Sequence, residues 1–469
     1  MARFYIENFG CRATQADGAA LERQFLNRGL DRSETARQAE IVVLNTCTVT
    51  AGADKDARAA IRRLQRENPG CQILVTGCYA QRAPEELAAL PGVTWVVGNS
   101  HKHQAAEIIT SKPGSFVPLT KLFGDQQGQV VVGDIFAHTE LLAAPVFDAA
   151  NERTRPNLKV QDGCNNRCSF CVIPSVRGHS RSMPMERVLE EVRSLVRAGY
   201  REVVISGINL GRWGRDLNGG SQLSAFSSQH ERPRQSVHSL QLETLVRMIL
   251  EETPLEKLRI SSVEPMDWSD ELIQLVATSP RIAKHAHVPL QSGSDAVLRR
   301  MHRKYRPWHY REKIRKIYDA MPRAAIGADV MVGFPGETEP EFAETRRLIE
   351  ELPFTYLHVF TYSPRPGTPA AEQSGQVPAA RARERNRVLR ELAARKQAEF
   401  RRSLVGSTID AITLRSNLGE STEALTDNYL KARIVGRWEP NRWMPVVVED
   451  AGTETVFARA LAGIFTASL

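Results

Sequence analysis

The 469-residue sequence has no long apolar run. Apolar stretches such as IVVLNTCTV and REVVISGINL have the length of β-strands and fall short of the ~18 residues that a membrane helix needs. The first residues, MARFYIENFGC, lack the basic segment, apolar segment and cleavage site of a signal peptide. We therefore expect a soluble, cytoplasmic protein that does not associate with membranes.

Cysteine is also scarce, and its number is odd. An odd count in a chain expected in a reducing compartment argues against a disulfide framework. The thiols are then buried filler, metal ligands or catalysts. The seven cysteines are Cys11, Cys47, Cys71, Cys78, Cys164, Cys168 and Cys171.

The remaining composition is that of an ordinary globular protein, with 42% hydrophobic and 25% charged residues. The formal net charge is +8, which favours an anionic partner such as nucleic acid. The length suggests about three domains at roughly 150 residues each. The sequence indicates no oligomeric state.

Two stretches of alternating strand and helix patterns dominate the chain. Residues 1–110 predict a parallel α/β domain, and residues 154–378 predict a full or partial β/α barrel. Residues 111–153 between them have few periodic signals and are interpreted as a linker. Residues 219–238, rich in serine and glutamine, predict a disordered insertion.

The C-terminal part begins with a strongly basic helix, residues 379–402. A solvated linker helix and an RNA contact are equally good interpretations of it. Residues 403–469 contain short β-like runs separated by turns, which predict a small β-barrel.

The strongest motif is the cysteine triplet Cys164, Cys168 and Cys171, spaced C-x3-C-x2-C after the strand-like LKVQDG. Structural zinc normally takes four ligands, and no fourth Cys or His is paired with the triplet, although His179 is possible. An iron–sulfur cluster is the alternative. Three cysteines on a four-iron cluster leave one iron free to chelate a small molecule.

This spacing, with the aromatic Phe170 before the last cysteine, resembles the signature of the radical S-adenosylmethionine superfamily. The resemblance implies a 4Fe–4S cluster whose open iron binds the amino and carboxylate groups of S-adenosylmethionine. It also implies a 5′-deoxyadenosyl radical, with the protein positioning the cofactor and excluding water.

Four motifs at strand ends, SGIN, SSVEP, PLQSGS and GFPGE, match the same family, in which strand ends hold S-adenosylmethionine. Glycine lets backbone approach a ligand closely, although each motif alone is typical of an ordinary tight turn. Arg303 has the alternative interpretation of a surface helix residue. The candidate cofactor contacts are Phe170, Gly207, Asn209, Glu264, Gln291, Ser292, Arg303 and Gly333.

The N-terminal motifs NFGCRATQAD, LNTCTVT and TGCYAQ each place a cysteine after a strand. One such cysteine would be interpreted as filler, but the whole set resembles the methylthiotransferase family along nearly the whole chain. The resemblance implies a Rossmann-like N-terminal domain with an auxiliary 4Fe–4S cluster on Cys11, Cys47 and Cys78, a radical barrel, and an RNA-binding β-barrel called TRAM. Cys71 matches no family position and is interpreted as structural.

The resemblance further implies a methylthio group placed on an unactivated aromatic carbon of tRNA. A general base cannot remove the hydrogen bound to such a carbon, whereas a carbon-centred radical can. Two S-adenosylmethionine molecules per turnover and a one-electron reductant such as flavodoxin or ferredoxin are implied. LNTCTVT and GADVMVGFPGETE most resemble the branch acting on carbon 2 of N6-threonylcarbamoyladenosine at tRNA position 37. Two features of this sequence depart from the family's pattern: the segment of residues 219–238, and NFGCRATQ around the first cysteine.

Two alternatives stay open: a sister methylthiotransferase acting on isopentenyladenosine or on a ribosomal-protein aspartate, and a non-catalytic RNA-binding protein with structural metal. For the substrate carboxylate, Arg177 and Arg181 are candidate partners, with phosphate binding or ordinary ion pairs as alternatives. The basic helix and barrel are expected to hold the tRNA body through phosphate contacts. The helix arginines are Arg381, Arg383, Arg385, Arg387, Arg390, Arg395, Arg401 and Arg402.

Overall fold

The computed structural model describes residues 2–110, 128–138, 141, 155–218, 240–415 and 419–461. No helix in these ranges combines the length and apolarity that crossing a bilayer requires. The predicted insertion at 219–238 and most of the predicted linker lie outside the described residues.

The N-terminal domain is a parallel six-stranded sheet in the order β2-β1-β3-β4-β5-β6. The predicted parallel α/β fold is confirmed. The edge strand β6 falls within the segment predicted as a linker, and it pairs with β5. The strands are β1 (Arg3–Asn8), β2 (Asp31–Arg32), β3 (Ile41–Thr46), β4 (Gln72–Gly77), β5 (Val93–Gly98) and β6 (Gln129–Val131).

Helices cover this sheet, and its central strands β3 and β4 are largely apolar because a parallel sheet is buried on both faces. Every residue of β3 is buried. The second helix begins where the Thr50 side chain accepts a hydrogen bond from the amide of Ala53, as an N-cap does. The helices are α1 (Arg12–Asn27), α2 (Ala51–Glu67), α3 (Cys78–Arg82), α4 (Pro84–Ala88) and α5 (Ala105–Thr110).

The central domain is a partial barrel of six parallel strands in chain order. Two three-stranded parallel groups, β7-β9-β10 and β11-β12-β13, are joined by single bridges between Leu258 and Ile282 and between Ser262 and His287. In the described part of the chain no pairing joins β7 to β13. The strands are β7 (Asn157–Asp162), β8 (Arg181–Ser182), β9 (Glu202–Gly207), β10 (Lys257–Ile260), β11 (His285–His287), β12 (Ala325–Val332) and β13 (Tyr356–Thr361).

Helices follow these strands and bury one continuous apolar core against the outside of the barrel. The short strand β8 pairs antiparallel with β7. The helices are α6 (Ile173–Arg177), α7 (Met185–Arg197), α8 (Leu242–Glu252), α9 (Asp270–Thr278), α10 (Asp295–Arg300), α11 (Pro307–Ala320), α12 (Glu339–Glu351) and α13 (Pro369–Glu372).

The N-terminal domain covers the open side of the partial barrel. At the first strand, the Asn157 amide donates to the carbonyl of Arg12 at 2.7 Å. Beyond the last strand, the Arg365 guanidinium donates to the Asp54 carboxylate at 2.6 Å. One domain therefore spans the gap between β7 and β13.

The C-terminal part is a closed barrel in the order β14-β15-β16-β18-β17, so the predicted small β-barrel is confirmed. It docks beneath the amino ends of the central strands, where Lys257 pairs with Asp410 at 3.1 Å and Asn428 donates to the carbonyl of Arg323 at 3.0 Å. The elements are α14 (Ala379–Ser403), β14 (Thr408–Thr413), β15 (Ser421–Thr426), β16 (Lys431–Val435), β17 (Trp443–Ala451) and β18 (Val456–Ala460).

The arginines of α14 are not all available to RNA. Arg385 is buried and pairs with Glu337 at 2.7 Å, and Arg401 is buried as well. Arg387 is held between Glu384 and Glu391 on its own helix. The expectation that all eight arginines contact RNA is therefore wrong for Arg385 and Arg401, because tertiary packing captures them. The exposed arginines without such a role are Arg381, Arg383, Arg390, Arg395 and Arg402.

Gly163 ends β7 and allows the cysteine loop to start. Its φ is +70°, and an added Cβ would overlap the backbone carbonyl of His179. Gly199 is a matched control, since its φ is +92° and nothing lies within 4 Å of an added Cβ. We expect Gly199→Ala to cost about 1–2 kcal/mol from the left-handed backbone alone. Gly163→Ala should cost about 3 kcal/mol, because the backbone must also move.

The measurement is the urea denaturation midpoint of each metal-free variant under reducing conditions. An equal loss of unfolding free energy in Gly163→Ala and Gly199→Ala would contradict the close approach of the His179 carbonyl to Gly163.

Candidate active site

A cavity of about 790 Å³ lies where the three domains meet. Its walls come from the start of α1, from the loop after β7, from the ends and inner faces of the barrel strands, and from the loop between β15 and β16. The predicted residues that line it are Cys11, Cys164, Cys168, Phe170, Cys171, Gly207, Asn209, Glu264, Gln291 and Arg303.

The cysteine triplet lies at one end of this cavity, on the loop that follows β7. The loop is fixed by hydrogen bonds from the amide of Cys164 to the carbonyl of Gly178 at 3.1 Å and from the amide of Ser169 to the carbonyl of Met301 at 3.1 Å. Burial raises the pKa of the Cys171 thiol to about 12. The metal-free thiol is therefore protonated, and a metal would be needed to stabilise its thiolate.

Buried polar atoms without partners line the same cavity as the triplet. Asn209 donates its amide to the Cys164 sulfur at 3.7 Å, while its own Oδ1 has no hydrogen-bond partner. Ser206 Oγ, Ser261 Oγ and Gln291 Oε1 are likewise buried and unpaired. Leaving such groups unsatisfied is costly. Their presence at the strand ends fits a polar small molecule such as S-adenosylmethionine.

Gln291 is held in an unusual backbone conformation. Its φ is +63°, a left-handed value that costs energy for a residue with a side chain. The strain is maintained by the bonds of its amide to the carbonyl of Asp329 and of its carbonyl to the amide of Met331, both 2.8 Å. Strained residues of this kind cluster at functional sites.

Glu264 and Arg303 form a charged pair beside the triplet. The two side chains are in direct hydrogen-bond contact, and the Arg303 guanidinium also donates to the Cys168 sulfur at 3.2 Å. Burial raises the pKa of Glu264, and Arg303 opposes this shift. The surface-residue interpretation of Arg303 is wrong, because its side chain is buried against Cys168 and Tyr305.

Ser292 and Gly333 are placed behind the cavity wall. The Ser292 hydroxyl lies 3.1 Å from that of Thr345 on α12, and the amide of Gly333 donates to the Glu337 carboxylate at 2.7 Å. Neither residue is among those that line the cavity.

The second cysteine group lies at the carboxyl ends of three neighbouring strands, as predicted. Cys11 follows β1, Cys47 follows β3 and Cys78 follows β4. Burial, followed by the neighbouring Cys78 thiol, raises the pKa of the Cys47 thiol to about 12. Cys78 packs against Val172 and Val176 of the central domain. This group therefore faces the loop that carries the triplet.

Cys71 lies apart from both groups. It is buried in the apolar core of the N-terminal domain, which agrees with its interpretation as structural. Among the described residues, no three His, Cys, Asp or Glu side chains are grouped to hold a single metal ion. The three thiols of the triplet are donors of the kind that iron–sulfur clusters take.

A buried network of charges joins the two domains beside these cysteines. Asp17 on α1 pairs with Lys102 at 3.0 Å, with Arg177 at 3.0 Å and, in direct contact, with Lys159. Lys159 and Arg177 also pair with Asp162, at 2.6 and 3.0 Å. Three cations thus meet two carboxylates, which leaves one positive charge in excess.

The protonation of this network follows from its burial. Burial acts to raise the pKa of Asp17, but Lys102, Lys159 and Arg177 outweigh it and hold that pKa below its usual value. Burial acts to lower the pKa of Arg177, but its neighbours, Asp162 first among them, outweigh burial and hold that pKa above its usual value. The excess positive charge therefore faces the second cysteine group, where it would stabilise thiolate ligands.

Arg177 is consequently not free to bind a substrate carboxylate, and that prediction is wrong. Its two terminal nitrogens donate to Asp162 and Asp17, and its side chain is buried, with only its Nε left without a hydrogen-bond partner. Arg181 donates to the carbonyls of Arg177 and His179. Neither arginine lines the large cavity.

The inner face of the barrel contributes a group of aromatic and imidazole side chains that the sequence did not reveal. His285 lies 2.7 Å from the Tyr356 hydroxyl, and its ring is 4.9 Å from that of Tyr429 in the C-terminal barrel. Burial lowers the pKa of His285 and of His358, and the charge of Arg12 adds to both shifts. Histidine on alternate strand positions, as in HAH, was the available signal.

Comparison with known proteins agrees with this architecture. The model of the radical SAM superfamily matches residues 158–349, and that of Uncharacterized protein family UPF0004 matches residues 3–98. The radical S-adenosylmethionine methyltransferase TsrM from Kitasatospora setae has a similar fold, with a TM-score of 0.53, 14% identity and coverage of 79% of this chain and 77% of that one. The chain is a radical S-adenosylmethionine enzyme, a class that binds a 4Fe–4S cluster and S-adenosylmethionine.

Curated relatives define the family more closely. The chain is 35% identical to the threonylcarbamoyladenosine tRNA methylthiotransferase of Aquifex aeolicus, over 94% of this chain and 99% of the relative. It is 36% identical to the Bacillus subtilis protein of that name, over 93% and 91%. It is 32% identical to the tRNA-2-methylthio-N(6)-dimethylallyladenosine synthase of Dictyoglomus thermophilum, over 81% and 79%. The chain belongs to the methylthiotransferase family.

We expect Asp17→Asn to destabilise the metal-free protein by about 3–5 kcal/mol at neutral pH, because it leaves buried cations uncompensated. Asp31→Asn, an exposed aspartate of the same domain, should change stability by less than about 0.5 kcal/mol. Chemical denaturation followed by fluorescence measures both.

The same experiment has a pH dependence. Since the folded-state pKa of Asp17 lies below its ordinary value, its contribution is present above about pH 4 and is lost as the pH falls further. The difference in unfolding free energy between wild type and Asp17→Asn should therefore become smaller only below about pH 4. A difference that vanished already at pH 6 would contradict the assigned charges.

Proposed function

We propose that this enzyme adds a methylthio group to carbon 2 of N6-threonylcarbamoyladenosine at position 37 of tRNA. The observation that carries the proposal is the pair of cysteine groups at one cavity: Cys164, Cys168 and Cys171 line it, and Cys11 brings the second group to its wall. A carbon–sulfur bond on an unactivated ring carbon needs a radical source and a sulfur donor close to the same atom.

In this proposal, Cys164, Cys168 and Cys171 hold one 4Fe–4S cluster, and Cys11, Cys47 and Cys78 hold a second. With two S-adenosylmethionine molecules per turnover, these groups supply a carbon-centred radical and a methylated sulfur when bound. The chain positions them: the Asp17 network fixes the N-terminal domain against β7, and Cys78 packs on the triplet loop.

The residues around the triplet have binding roles. The unpaired oxygens of Ser206, Asn209, Ser261 and Gln291 are available to the polar groups of S-adenosylmethionine. The Glu264–Arg303 pair lies against Cys168 and is available to its charged groups. Walls from three domains exclude water from the radical.

The substrate branch rests on the relatives. Five curated threonylcarbamoyladenosine enzymes are 32–36% identical to this chain, whereas two dimethylallyladenosine synthases are 28–32% identical. A stacked base in the anticodon loop must be splayed out to enter the cavity, as loop RNA allows.

The tRNA body would be held by phosphate contacts with the C-terminal barrel and the exposed arginines of α14. The reaction also needs an external one-electron donor, for which we propose a small protein such as flavodoxin or ferredoxin. We propose that the reaction takes place in the cytoplasm, a reducing compartment, which the free thiols and a tRNA substrate support.

The proposal is tested with anaerobically reconstituted protein and tRNA carrying either threonylcarbamoyladenosine or isopentenyladenosine. Wild type should convert the first tRNA, measured by mass spectrometry of nucleosides. Alanine at Cys164, Cys168 and Cys171 should remove about half of the iron and abolish S-adenosylmethionine cleavage. Alanine at Cys11, Cys47 and Cys78 should remove the other half, keep reductive cleavage and abolish methylthiolation.

Cys71→Ala is the control for cysteine loss and should keep full iron and activity. Methylthiolation retained after loss of Cys47 would overturn the second cluster. Exclusive conversion of isopentenyladenosine tRNA would move the enzyme to the sister branch.

For tRNA binding, we expect glutamine at Arg381, Arg383, Arg390, Arg395 and Arg402 to weaken affinity. The slope of log affinity against log salt should fall by about 0.7–0.9 for each phosphate that the variant no longer neutralises. Arg387→Gln is the control, since this arginine is already paired within α14. If the variant with all five substitutions kept the wild-type slope of log affinity against log salt, α14 would be only a linker. Deleting the barrel is unsuitable, because Tyr429 lines the cavity.

A further inference from the structure

In the part of the chain that the structure describes, three arginines line the large cavity, and two of them already have carboxylate partners. Arg303 pairs with Glu264 beside Cys168. Arg259 is buried, pairs with Glu202 at 2.6 Å and donates to the carbonyl of Asp427 at 3.0 Å. Within the described residues, Arg12 has no carboxylate partner.

Arg12 is presented to the cavity from the first turn of α1. Its backbone is tied to β7 by Asn157, and one guanidinium nitrogen donates to the Tyr429 hydroxyl at 3.2 Å. A guanidinium has five donors, so most of its capacity remains. Its charge faces His285, Tyr356 and His358 on the inner face of the barrel.

We propose that Arg12 binds the carboxylate of the threonylcarbamoyl group and thereby selects this base over adenosines with an uncharged N6 substituent. The inference rests on the function proposed above and names the residue that reads the substrate. A carboxylate can accept two parallel hydrogen bonds from one guanidinium, and the Tyr429 hydroxyl keeps the planar group oriented. Arg12 is a specificity residue, since the carboxylate that it would bind lies on the N6 substituent and not at carbon 2, where the new bond forms.

The expected discrimination is large because a cation turned into the cavity would be left unpaired by a neutral ligand. Charged hydrogen bonds of this kind correspond to about 10- to 100-fold in affinity. Arg12→Gln keeps a polar side chain but removes the charge, so it should remove the preference for a carboxylate.

The test uses anticodon stem-loop RNAs that carry threonylcarbamoyladenosine, its neutral carboxamide analogue, or isopentenyladenosine. Dissociation constants are measured without reductant, so that no turnover occurs, and KM and kcat are measured separately with it. Wild type should bind the carboxylate RNA about 10- to 100-fold more tightly than the carboxamide. Arg12→Gln should bind both alike, Arg12→Lys should restore part of the preference, and Tyr429→Phe should reduce it less than Arg12→Gln.

Arg62→Gln, an exposed arginine on α2, controls for loss of positive charge. Iron content and RNA-independent S-adenosylmethionine cleavage should stay at wild-type levels in Arg62→Gln. Both are also measured in Arg12→Gln and Arg12→Lys, and the preference is compared between variants with equal iron content, so that Arg12→Lys decides the test if Arg12→Gln loses iron. If Arg12→Gln retains the wild-type preference, this inference falls and the proposed function stands. If it weakens both RNAs equally, Arg12 binds phosphate and the inference also falls. If wild type prefers isopentenyladenosine, both the inference and the proposed substrate fall.

Discussion

The ion pairs of the buried Asp17 carboxylate are the interaction on which the rest of the structure depends. This carboxylate joins Lys102 of its own domain to Lys159 and Arg177 of the barrel, so it sets how the N-terminal domain lies along β7. Burying five charged groups costs desolvation energy that their attraction only partly recovers. We infer that the network matters more for fixing one relative position of the domains than for net stability. The distance between the two cysteine groups follows from that position.

The same geometry explains why the barrel can stay open. A closed β/α barrel fills its interior with side chains, which leaves little room for a nucleotide and a cofactor together. Here the gap between β7 and β13 is covered by a separate domain, held at Asn157 on one side and at Arg365 on the other. The interior thus becomes a cavity with walls of different chemistry: thiols and polar strand ends at one end, imidazole and phenol rings on the inner face.

The sequence predicted the parts that depend on local pattern. Strand–helix alternation, the C-x3-C-x2-C spacing and the cysteines after β1, β3 and β4 are each written within a few neighbouring residues, and the structure places them accordingly. Contacts between distant residues were not predictable in this way. Arg177 follows the cysteine loop and suggested a ligand, but its partner Asp17 lies 160 positions away. In the sequence, Arg385 is one of eight similar arginines. Only the structure distinguishes it from the others, through its ion pair with Glu337. Ser292 shares a motif with the cavity residue Gln291, yet its hydroxyl lies against Thr345 on α12. Arg12 and Tyr429 meet only because three domains assemble.

Tyr429 has a consequence for how this family can diversify. The residue has a left-handed φ of +70° and sits in a loop whose carbonyls accept from Arg259, so the C-terminal barrel completes the floor of the reaction chamber. Such a barrel cannot be exchanged between relatives like an independent RNA-binding module. A chimaera that kept the strands of the C-terminal barrel but altered the β15–β16 loop would have a cavity floor that does not match the inner face of the central barrel. The β15–β16 loop and that inner face must therefore change together during evolution.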